Sequence, residues 1–250
     1  LPASKSYSIR AHIIAACGGH SKILHASNCE DAVVSQEISK ALQKKSKVFH
    51  VGESGTSLRF LLPLLPFYTN QAVVKGQGTL IGRPNHHLCE ALRRCGMDIR
   101  GDGNKESVPI RYHAGVLKAG RIEIDGSLSS QFISALLIAL PKLQGDSRII
   151  ITGKEMVSAD YIVMTRQILA KAGITIKQIS QREFAIKGHQ EFKGLRNFIV
   201  PSDYGLAAFP LAGAELVPSK ITLKGHLKDD MIQSDGHIMR FLKQMGVSCK

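Results

Sequence analysis

Ser127-Leu128-Ser129-Ser130-Gln131-Phe132-Ile133-Ser134-Ala135-Leu136-Leu137-Ile138-Ala139-Leu140 is the stretch around which this chain is organised. Hydroxyls fill its first part, and a largely apolar run that ends at Pro141 follows, which predicts a polar turn leading into a buried helix. The first N–H groups of a helix have no internal partner, and the helix dipole adds partial positive charge there, so such a turn can hold phosphate or carboxylate. A single turn of this kind is more often a simple helix cap.

The same construction recurs along the chain. Polar turns stand at 4–8, 52–57, 126–131 and 201–204, and each precedes an apolar run. Amphipathic helices are predicted at 31–45, 88–95, 161–172 and 238–245, and the inner face of the first would carry Val33, Val34, Ile38 and Leu42. From Thr56 to Ser130 is 74 positions and from Ser130 to Asp203 is 73, so the period is that of a whole supersecondary unit. The prediction is an α/β fold of repeated βαβαββ-type units, with the apolar helices inside the sheets.

Two irregularities interrupt the repeat. The first unit is short, because Lys5 and Thr56 are only 51 positions apart, and the shortage falls between Ser46 and Gly52, where a strand pair should stand. The fourth unit stops at Lys250, directly after its amphipathic helix and the turn at 246–249. We therefore expect the chain to be truncated, with its first unit either naturally abbreviated or missing residues.

Composition places the chain among ordinary globular proteins. It has 250 residues, 44% of them hydrophobic, a mean hydropathy of −0.01, and no apolar run long enough to cross a bilayer. The first residues do not form a secretion signal, and the cysteines are odd in number without C-x-x-C spacing. We expect a reduced cytoplasmic protein with no disulfide and no metal site, with the His86-His87 pair on a solvated helix face.

The net charge of +13 calls for anionic partners. Nucleic acid is one class of candidate, but the basic residues are scattered, tryptophan is absent, and aromatics do not alternate with the cations as stacking platforms would. Small anionic substrates fit this pattern better than nucleic acid does.

Cationic and hydroxyl side chains concentrate at the helix starts. Arg10 follows Ser6 by four positions and so shares its helical face, and Arg59 lies one turn into the second apolar helix. Each has a structural alternative, such as internal pairing for Arg59 or a core position for Tyr161. Glu53 is an acid among these groups, and we expect it to face solvent.

These residues resemble the enolpyruvyl transferases, in particular the 5-enolpyruvylshikimate-3-phosphate (EPSP) synthase family. The resemblance is carried by Leu1-Pro2-Ala3-Ser4-Lys5-Ser6 with Ser8, Arg10 and Ala11, Gly52-x-x-Gly55-Thr56 with Arg59-Phe60-Leu61, Gly82-Arg83-Pro84 with Leu88, Gly126-Ser127-x-Ser129-Ser130-Gln131-Phe132 with Ala135-Leu136-Leu137, Ser158-x-x-Tyr161, and Ser202-Asp203-Tyr204. It runs from the first residue to the last. The sister family that acts on UDP-N-acetylglucosamine shares the repeat but differs at the first turn, and stays a distant alternative, as does a non-enzymatic basic nucleic-acid-binding protein.

The resemblance implies a transferase of the shikimate pathway, and so of aromatic amino acid and chorismate biosynthesis. It would move the carboxyvinyl group of phosphoenolpyruvate to the 5-hydroxyl of shikimate 3-phosphate and release phosphate, without metal or organic cofactor. By motif position, the phosphoenolpyruvate ligands would be Lys5, Gly55, Arg83 and Gln131. The shikimate 3-phosphate ligands would be Lys5, Ser6, Arg10, Ser129, Ser130, Gln131, Ser158 and Tyr161. Lys5 is the predicted catalytic group, through stabilisation of developing negative charge.

The family fold implies two inside-out α/β barrel domains that close over the substrates. Residues 1–200 would form the first domain from three units, and 201–250 would open an incomplete second domain, with the hinge near Leu1-Pro2 and Val200-Pro201. The acid–base groups of the family come from later in the second domain. We therefore expect this chain to bind shikimate 3-phosphate weakly, not to turn over, and to belong to a protein that is monomeric at full length.

Overall fold

The structure is a computed structural model that describes residues 1–217, 219–227, 231–233 and 236–247. The helices are α1 (Lys5–Ala16), α2 (Glu30–Gln43), α3 (Gly55–Leu61), α4 (His86–Arg94), α5 (Ser130–Ala139), α6 (Ala159–Lys171), α7 (Tyr204–Leu216) and α8 (His237–Gln244). The strands are β1 (Ile23–Leu24), β2 (Val48–His50), β3 (Ala72–Lys75), β4 (Met97–Asp102), β5 (Ser107–Gly115), β6 (Arg121–Asp125), β7 (Ser147–Thr152), β8 (Ile176–Ser180), β9 (Glu183–Ile186) and β10 (Phe198–Ile199). Ser248 and Cys249, predicted to end the fourth unit, lie outside the described residues.

The repeat is visible in the sheets. Two four-stranded sheets share one order, β2-β3-β5-β4 and β6-β7-β9-β8, and in each the first two strands are parallel and the rest antiparallel. Both units read strand, helix, strand, helix, hairpin along the chain. The predicted α/β architecture of βαβαββ-type units is therefore confirmed.

Helices α1, α3 and α5 form the interior. In α5, all residues except Gln131 are buried, and α3 is buried except for Thr56. A helix that is apolar on every side can only be stable when it is enclosed, so these helices pack against one another with the sheets around them. The predicted burial of the apolar helices is confirmed for these three.

The outer helices bury only one face. In α2 that face consists of Ala32, Ser35, Ile38 and Leu42, which stand three or four positions apart. Val33, which we expected on the inner face, is 46% exposed, so that part of the prediction is wrong. The helix face is set by Ile38 and Leu42, and at 100° per residue Val33 points away from it.

The first unit lacks the hairpin of the other two. Hairpins β4–β5 and β8–β9 follow α4 and α6, whereas residues 44–47 join α2 directly to β2. The sheet of this unit is the two-stranded pair β1 and β10, in which Ile23 pairs with Phe198 in parallel register. This is the shortage predicted between Ser46 and Gly52.

Residues near Ser202 meet the start of the chain. Ala3 and Ser202 form an antiparallel bridge, and the Ser4 N–H donates to the Pro201 carbonyl at 2.8 Å. The Asp203 carboxylate accepts from the Lys5 N–H and from the Leu206 N–H, both at 3.2 Å. One side chain therefore caps the starts of both α1 and α7.

Helix α7 repeats the construction of the inner helices without their burial. Ala207 is its buried residue, while Phe209 is 77% and Leu216 84% exposed. A cavity of about 650 Å³ with mostly aliphatic walls lies between α7 and α8. Among the described residues, every helix is too short or too polar to span a bilayer.

The carboxyl ends of the inner helices meet around Lys142. Its Nζ donates to the Cys17 carbonyl at 2.7 Å and lies 5.6 to 5.8 Å from the ring centres of Phe67, Tyr68 and Phe192. The last carbonyls of a helix carry partial negative charge, so the ammonium is well matched to this end. Burial raises the pKa of the Cys17 thiol to about 12.

Candidate functional site

The amino ends of α1, α3 and α5 open onto a cavity of about 290 Å³. Its walls are Lys5, Ser6, Arg10, Thr56, Leu128, Ser129, Ser130, Gln131, Val157, Ser158 and Tyr161. Three helix starts contribute to one cavity because the inner helices run in the same direction. Their unpaired N–H groups and dipoles therefore converge on the same space.

The residues that the resemblance assigned to shikimate 3-phosphate all line this cavity. Gly55 and Arg83, assigned to phosphoenolpyruvate, lie outside the lining set, although Gly55 directly precedes Thr56. The two are neighbours in space, since a Cβ added to Gly55 would lie 3.5 Å from Arg83 Nη1. The predicted residues therefore form one cavity with an adjoining Arg83 and Gly55 pair.

The serines at the helix starts differ in what they do locally. Ser129 Oγ caps α5 by accepting from the Gln131 N–H at 3.2 Å, which is the ordinary structural role. Ser158 stands at the start of α6 in the left-handed region, at φ 55° and ψ 48°, and in the described structure its side chain makes no capping bond. A left-handed serine is strained, and such strain is often found at binding sites.

Arg10 is a charged side chain in the interior. It is 1% exposed, and its guanidinium donates to Thr165 Oγ1 at 2.8 Å, to the Ser6 carbonyl at 3.0 Å and to the Tyr161 carbonyl at 3.3 Å. The rings of Phe60 and Tyr161 lie 5.2 and 5.5 Å away. Burial lowers the pKa of Arg10 to about 10, so the group is still charged at neutral pH.

Arg59 is a second buried guanidinium, 8% exposed. Its Nη1 donates to Gln131 Oε1 at 2.7 Å and its Nε to Asn85 Oδ1 at 3.1 Å, while the group lies 5.0 Å above the Phe132 ring. Burial, with a smaller contribution from Arg83, lowers the pKa of Arg59 to about 10. Internal pairing was the structural alternative for Arg59, and the pairing that occurs fixes the side chain of Gln131.

Neither buried guanidinium has an acidic partner among the described residues. No carboxylate oxygen in that part of the chain lies within 4.0 Å of a nitrogen of Arg10 or Arg59. Buried charges in proteins are ordinarily paired, because an unpaired charge loses its hydration without compensation. The arrangement therefore favours an anionic ligand at this cavity.

Lys5 stands at the rim of the cavity and is already engaged. Its Nζ lies 3.2 Å from Asp31 Oδ2 on α2, and the side chains of the pair are 55% and 28% exposed. Its backbone N–H is taken by Asp203. An anion entering the cavity would compete with Asp31 for the ammonium.

Glu53 lies at the surface, as expected, and its carboxylate there is hydrogen-bonded. Its Oε2 accepts from the Thr79 N–H at 2.9 Å and from the Thr79 hydroxyl at 2.7 Å. These bonds are the main cause that lowers the pKa of Glu53, and Arg83 adds to the effect. The carboxylate is thus fixed beside the Arg83 and Gly55 pair.

Three lining residues were absent from the predicted ligand sets. Thr56 belongs to the quoted Gly55-Thr56 motif, and its hydroxyl could have been assigned from that position. Leu128 and Val157 flank the predicted serines, and nothing in their residue type marks them out. His86 and His87, expected on a solvated face, are instead half-buried, with the His87 ring 6.5 Å from the Phe132 ring.

The described residues contain no group of three or more His, Cys, Asp or Glu side chains placed to hold a metal ion. The cavity offers hydroxyl, amide, ammonium and guanidinium groups, which bind anions rather than cations. The prediction that no metal or cofactor takes part stays a prediction.

Comparison with known proteins gives a consistent family. A family model described as EPSP synthase (3-phosphoshikimate 1-carboxyvinyltransferase) matches residues 21–250. The 3-phosphoshikimate 1-carboxyvinyltransferase of Buchnera aphidicola is 37% identical over 84% of this chain and 48% of its own length. That of Methanococcoides burtonii is 35% identical over 99% of this chain, which includes the first turn, and 62% of its own length.

Solved structures share the fold. EPSP synthase from Acinetobacter baumannii superposes on 98% of this chain and 59% of its own, with a TM-score of 0.76 at 21% identity. The enolpyruvyl transferase NikO from Streptomyces tendae gives a TM-score of 0.60 at 15% identity over 85% of this chain and 53% of its own. These likenesses confirm the enolpyruvyl transferase fold.

The curated relatives are longer than this chain. The Clostridium botulinum relative, 32% identical, aligns over 274 positions with a chain of 250 residues, so at least 24 of its residues have no counterpart here. The chain spans about half the length of the first curated relatives it matches.

Proposed function

This chain belongs to the EPSP synthase family, and we propose that its cavity binds the substrates of carboxyvinyl transfer from phosphoenolpyruvate to shikimate 3-phosphate. The observation that carries the proposal is the pair of buried guanidinium groups, Arg10 and Arg59, which have no carboxylate partner among the described residues. Both substrates are multiply anionic and would supply the missing charge. The three converging helix starts would add their partial positive charge.

Shikimate 3-phosphate would occupy the cavity itself. Ser129, Ser130 and Ser158 would donate to the 3-phosphate, and the unused capping capacity of Ser158 suits that role. Arg10 and Ser6 would hold the ring and its carboxylate. Tyr161, whose ring already faces the Arg10 guanidinium, would lie beside the shikimate ring.

Phosphoenolpyruvate would bind between the cavity and the Arg83 and Gly55 pair. Gln131 faces this side because Arg59 holds its amide oxygen, which leaves the amide NH₂ free to donate. Gly55 lets the backbone approach the ligand closely. Lys5, which adjoins both ligands, would stabilise charge on the departing phosphate and on the tetrahedral intermediate.

The scope of the proposal follows from the length of the chain. Residues 1–200 would be one domain and 201–250 the opening of another, since α7 repeats the inner-helix construction with Ala207 as its buried residue. The transferase activity would belong to a full-length, monomeric, cytoplasmic enzyme with no cofactor. This chain alone would bind shikimate 3-phosphate weakly and not release phosphate from the two substrates.

Titration calorimetry with shikimate 3-phosphate tests the proposal. We expect heat of binding for the wild-type chain and its loss in a Lys5→Ala, Ser130→Ala double variant. Ser127→Ala is the matched control, because Ser127 lies in the same turn but outside the lining set, bonded to Asp125. Absence of binding by the wild-type chain would overturn the proposal.

The two alternatives predict different results in the same assay. A nucleic-acid-binding protein would bind DNA with steep salt dependence from counterion release, and the double variant would bind equally well. A transferase for UDP-N-acetylglucosamine would show that nucleotide sugar displacing shikimate 3-phosphate. We expect neither.

A further inference from the structure

The segment that carries Arg83 is an exposed loop between β3 and α4, residues 76–84, here called the Arg83 loop. Arg83 itself is exposed, and its Nη2 donates to Thr79 Oγ1 at a long 3.4 Å. A long, exposed side chain has many rotamers, so holding it over Gly55 requires a fixed backbone and a fixed neighbour.

The two ends of the Arg83 loop are tied to the domain. The Gln77 N–H donates to the Gly52 carbonyl at 2.9 Å, and Arg59 donates to the Pro84 carbonyl at 3.2 Å. These bonds secure the points where the loop leaves and rejoins the domain. Between these points the loop is also held by the buried Leu80 side chain and by the bond from the Leu80 N–H to the Gln77 carbonyl at 3.1 Å, whereas Thr79 is exposed.

Glu53 adds a side-chain contact to the exposed Thr79. One carboxylate oxygen accepts both the backbone N–H and the hydroxyl of Thr79, and the same hydroxyl accepts from Arg83. Hydrogen bonds therefore link the Glu53 carboxylate, through Thr79, to the Arg83 guanidinium.

The loop backbone is shaped to receive this carboxylate. Gly78 has φ +54°, and a Cβ there would lie 2.2 Å from Glu53 Oε1, so a larger residue would displace the carboxylate from this position. The glycine therefore both adopts the left-handed turn and leaves space for the acid. A merely solvent-facing glutamate would need neither.

The charge of Glu53 makes its position informative. A negative group beside an anion site repels the ligand, so electrostatics alone would disfavour an acid here. Its structural contribution must outweigh that repulsion if the site is to work.

We propose that Glu53 is a positioning residue for Arg83: it fixes the Arg83 loop so that the guanidinium stands over Gly55, where phosphoenolpyruvate binds. The inference rests on the proposed function and adds to it a residue that does not itself touch the substrates. It assigns Glu53 to the phosphoenolpyruvate side of the site only, because the shikimate 3-phosphate cavity is built without the loop.

Two variants separate positioning from charge. Glu53→Gln keeps an oxygen that can accept both Thr79 bonds and removes the charge, whereas Glu53→Ala removes the bonds as well. With saturating shikimate 3-phosphate, we expect Glu53→Ala to weaken phosphoenolpyruvate binding about tenfold, as for loss of two hydrogen bonds, and Glu53→Gln to bind as tightly as wild type or slightly more so. Glu90→Ala, an exposed acid paired with Arg94 elsewhere, is the control and should change nothing.

Amide exchange of Thr79, followed by NMR, reads the loop directly and without ligand. We expect faster exchange in Glu53→Ala and wild-type exchange in Glu53→Gln. Shikimate 3-phosphate affinity should be equal in all variants. Wild-type phosphoenolpyruvate affinity in Glu53→Ala, or tighter binding in that variant, would overturn the positioning role alone, whereas a wild-type chain that binds neither substrate would overturn the proposed function.

Discussion

The amino and carboxyl ends of the inner helices α1, α3 and α5 differ in how the partial charge of the helix termini is balanced. At the carboxyl ends, the chain fills the position itself, because the Lys142 ammonium bonds the Cys17 carbonyl between three aromatic rings. At the amino ends, Arg10 lines a cavity and Arg59 bonds the lining residue Gln131, and neither cation has an acidic partner among the described residues. One end is electrostatically complete within the chain, and under the proposed function the anionic substrates would complete the other.

The difference shows how a symmetrical source of charge becomes a one-sided binding site. Every helix offers partial positive charge at its start and partial negative charge at its end, so three parallel helices offer both in concentrated form. Because Lys142 balances the negative charge at the carboxyl ends, an external anion would be stabilised most at the amino ends. Variants that remove a cation at either end therefore test whether the amino ends bind the ligand and the carboxyl ends contribute stability.

The largest expected effect is at the amino ends of the inner helices, where Arg10 lines the cavity. Arg10→Met should weaken shikimate 3-phosphate binding roughly a hundredfold, within the range for loss of a buried charged contact. The free energy of unfolding of the Arg10→Met variant should change little, because removing an unpaired buried charge also removes the desolvation cost of that charge. Calorimetry and urea unfolding measure the two quantities, and unchanged affinity in a folded variant would contradict the assignment.

At the carboxyl ends, loss of the cation should reduce stability and leave ligand affinity unchanged. Lys142→Met should lower the free energy of unfolding by about 2 kcal/mol, through loss of the ring contacts and of the charge at the helix ends. Shikimate 3-phosphate affinity should stay the same. Lys177→Met, at an exposed strand position, is the control for a lost surface charge, and urea unfolding compares them. Weakened binding in Lys142→Met would show that the two ends are not independent.

A smaller effect is expected where an internal anion already competes. Asp31→Asn removes the partner of the Lys5 ammonium and should raise shikimate 3-phosphate affinity about threefold, as expected for an exposed ion pair. The increase should shrink in high salt, which screens such pairs. Reduced affinity would instead mean that Asp31 orients Lys5 for the ligand.

The smallest effect concerns His12, which lies on α1 between the two ends. Burial lowers the pKa of His12, whose Nδ1 lies 3.1 Å from the Ala32 carbonyl and 2.9 Å from Ser35 Oγ. Below about pH 6.5 the unfolded chain takes up a proton that the folded chain resists, so stability should fall as pH decreases through that value. Urea midpoints between pH 5.5 and 7.5 should therefore show a weaker pH dependence in His12→Gln than in wild type.

Much of the site could be predicted because its residues stand at helix starts. Ser129, Ser130 and Gln131 are adjacent in sequence, and the repeat places the turns at Lys5 and Thr56 in equivalent positions. Parallel helices then bring equivalent positions together without further information. The convergence of these turns on one cavity is therefore a consequence of the repeat.

What escaped prediction depends on side-chain direction and on contacts between distant segments. That Arg59 reaches Gln131, and that Glu53 bonds Thr79, depends on rotamers that spacing does not specify. The buried face of α2 also differs from the predicted one, because Val33 is exposed. The pairing of β1 with β10 joins segments about 175 positions apart, which no local pattern announces.

That last pairing has a topological consequence. With β1 beside β10, and Ser4 bonded to Pro201, the polypeptide from 4 to 201 returns to its starting point. A circular permutant that joins these positions through a short linker and opens the chain at the exposed Gly103–Asn104 turn should therefore retain the three-unit body. In such a molecule the order of the units along the gene would change, while the cavity at the helix starts would keep its walls.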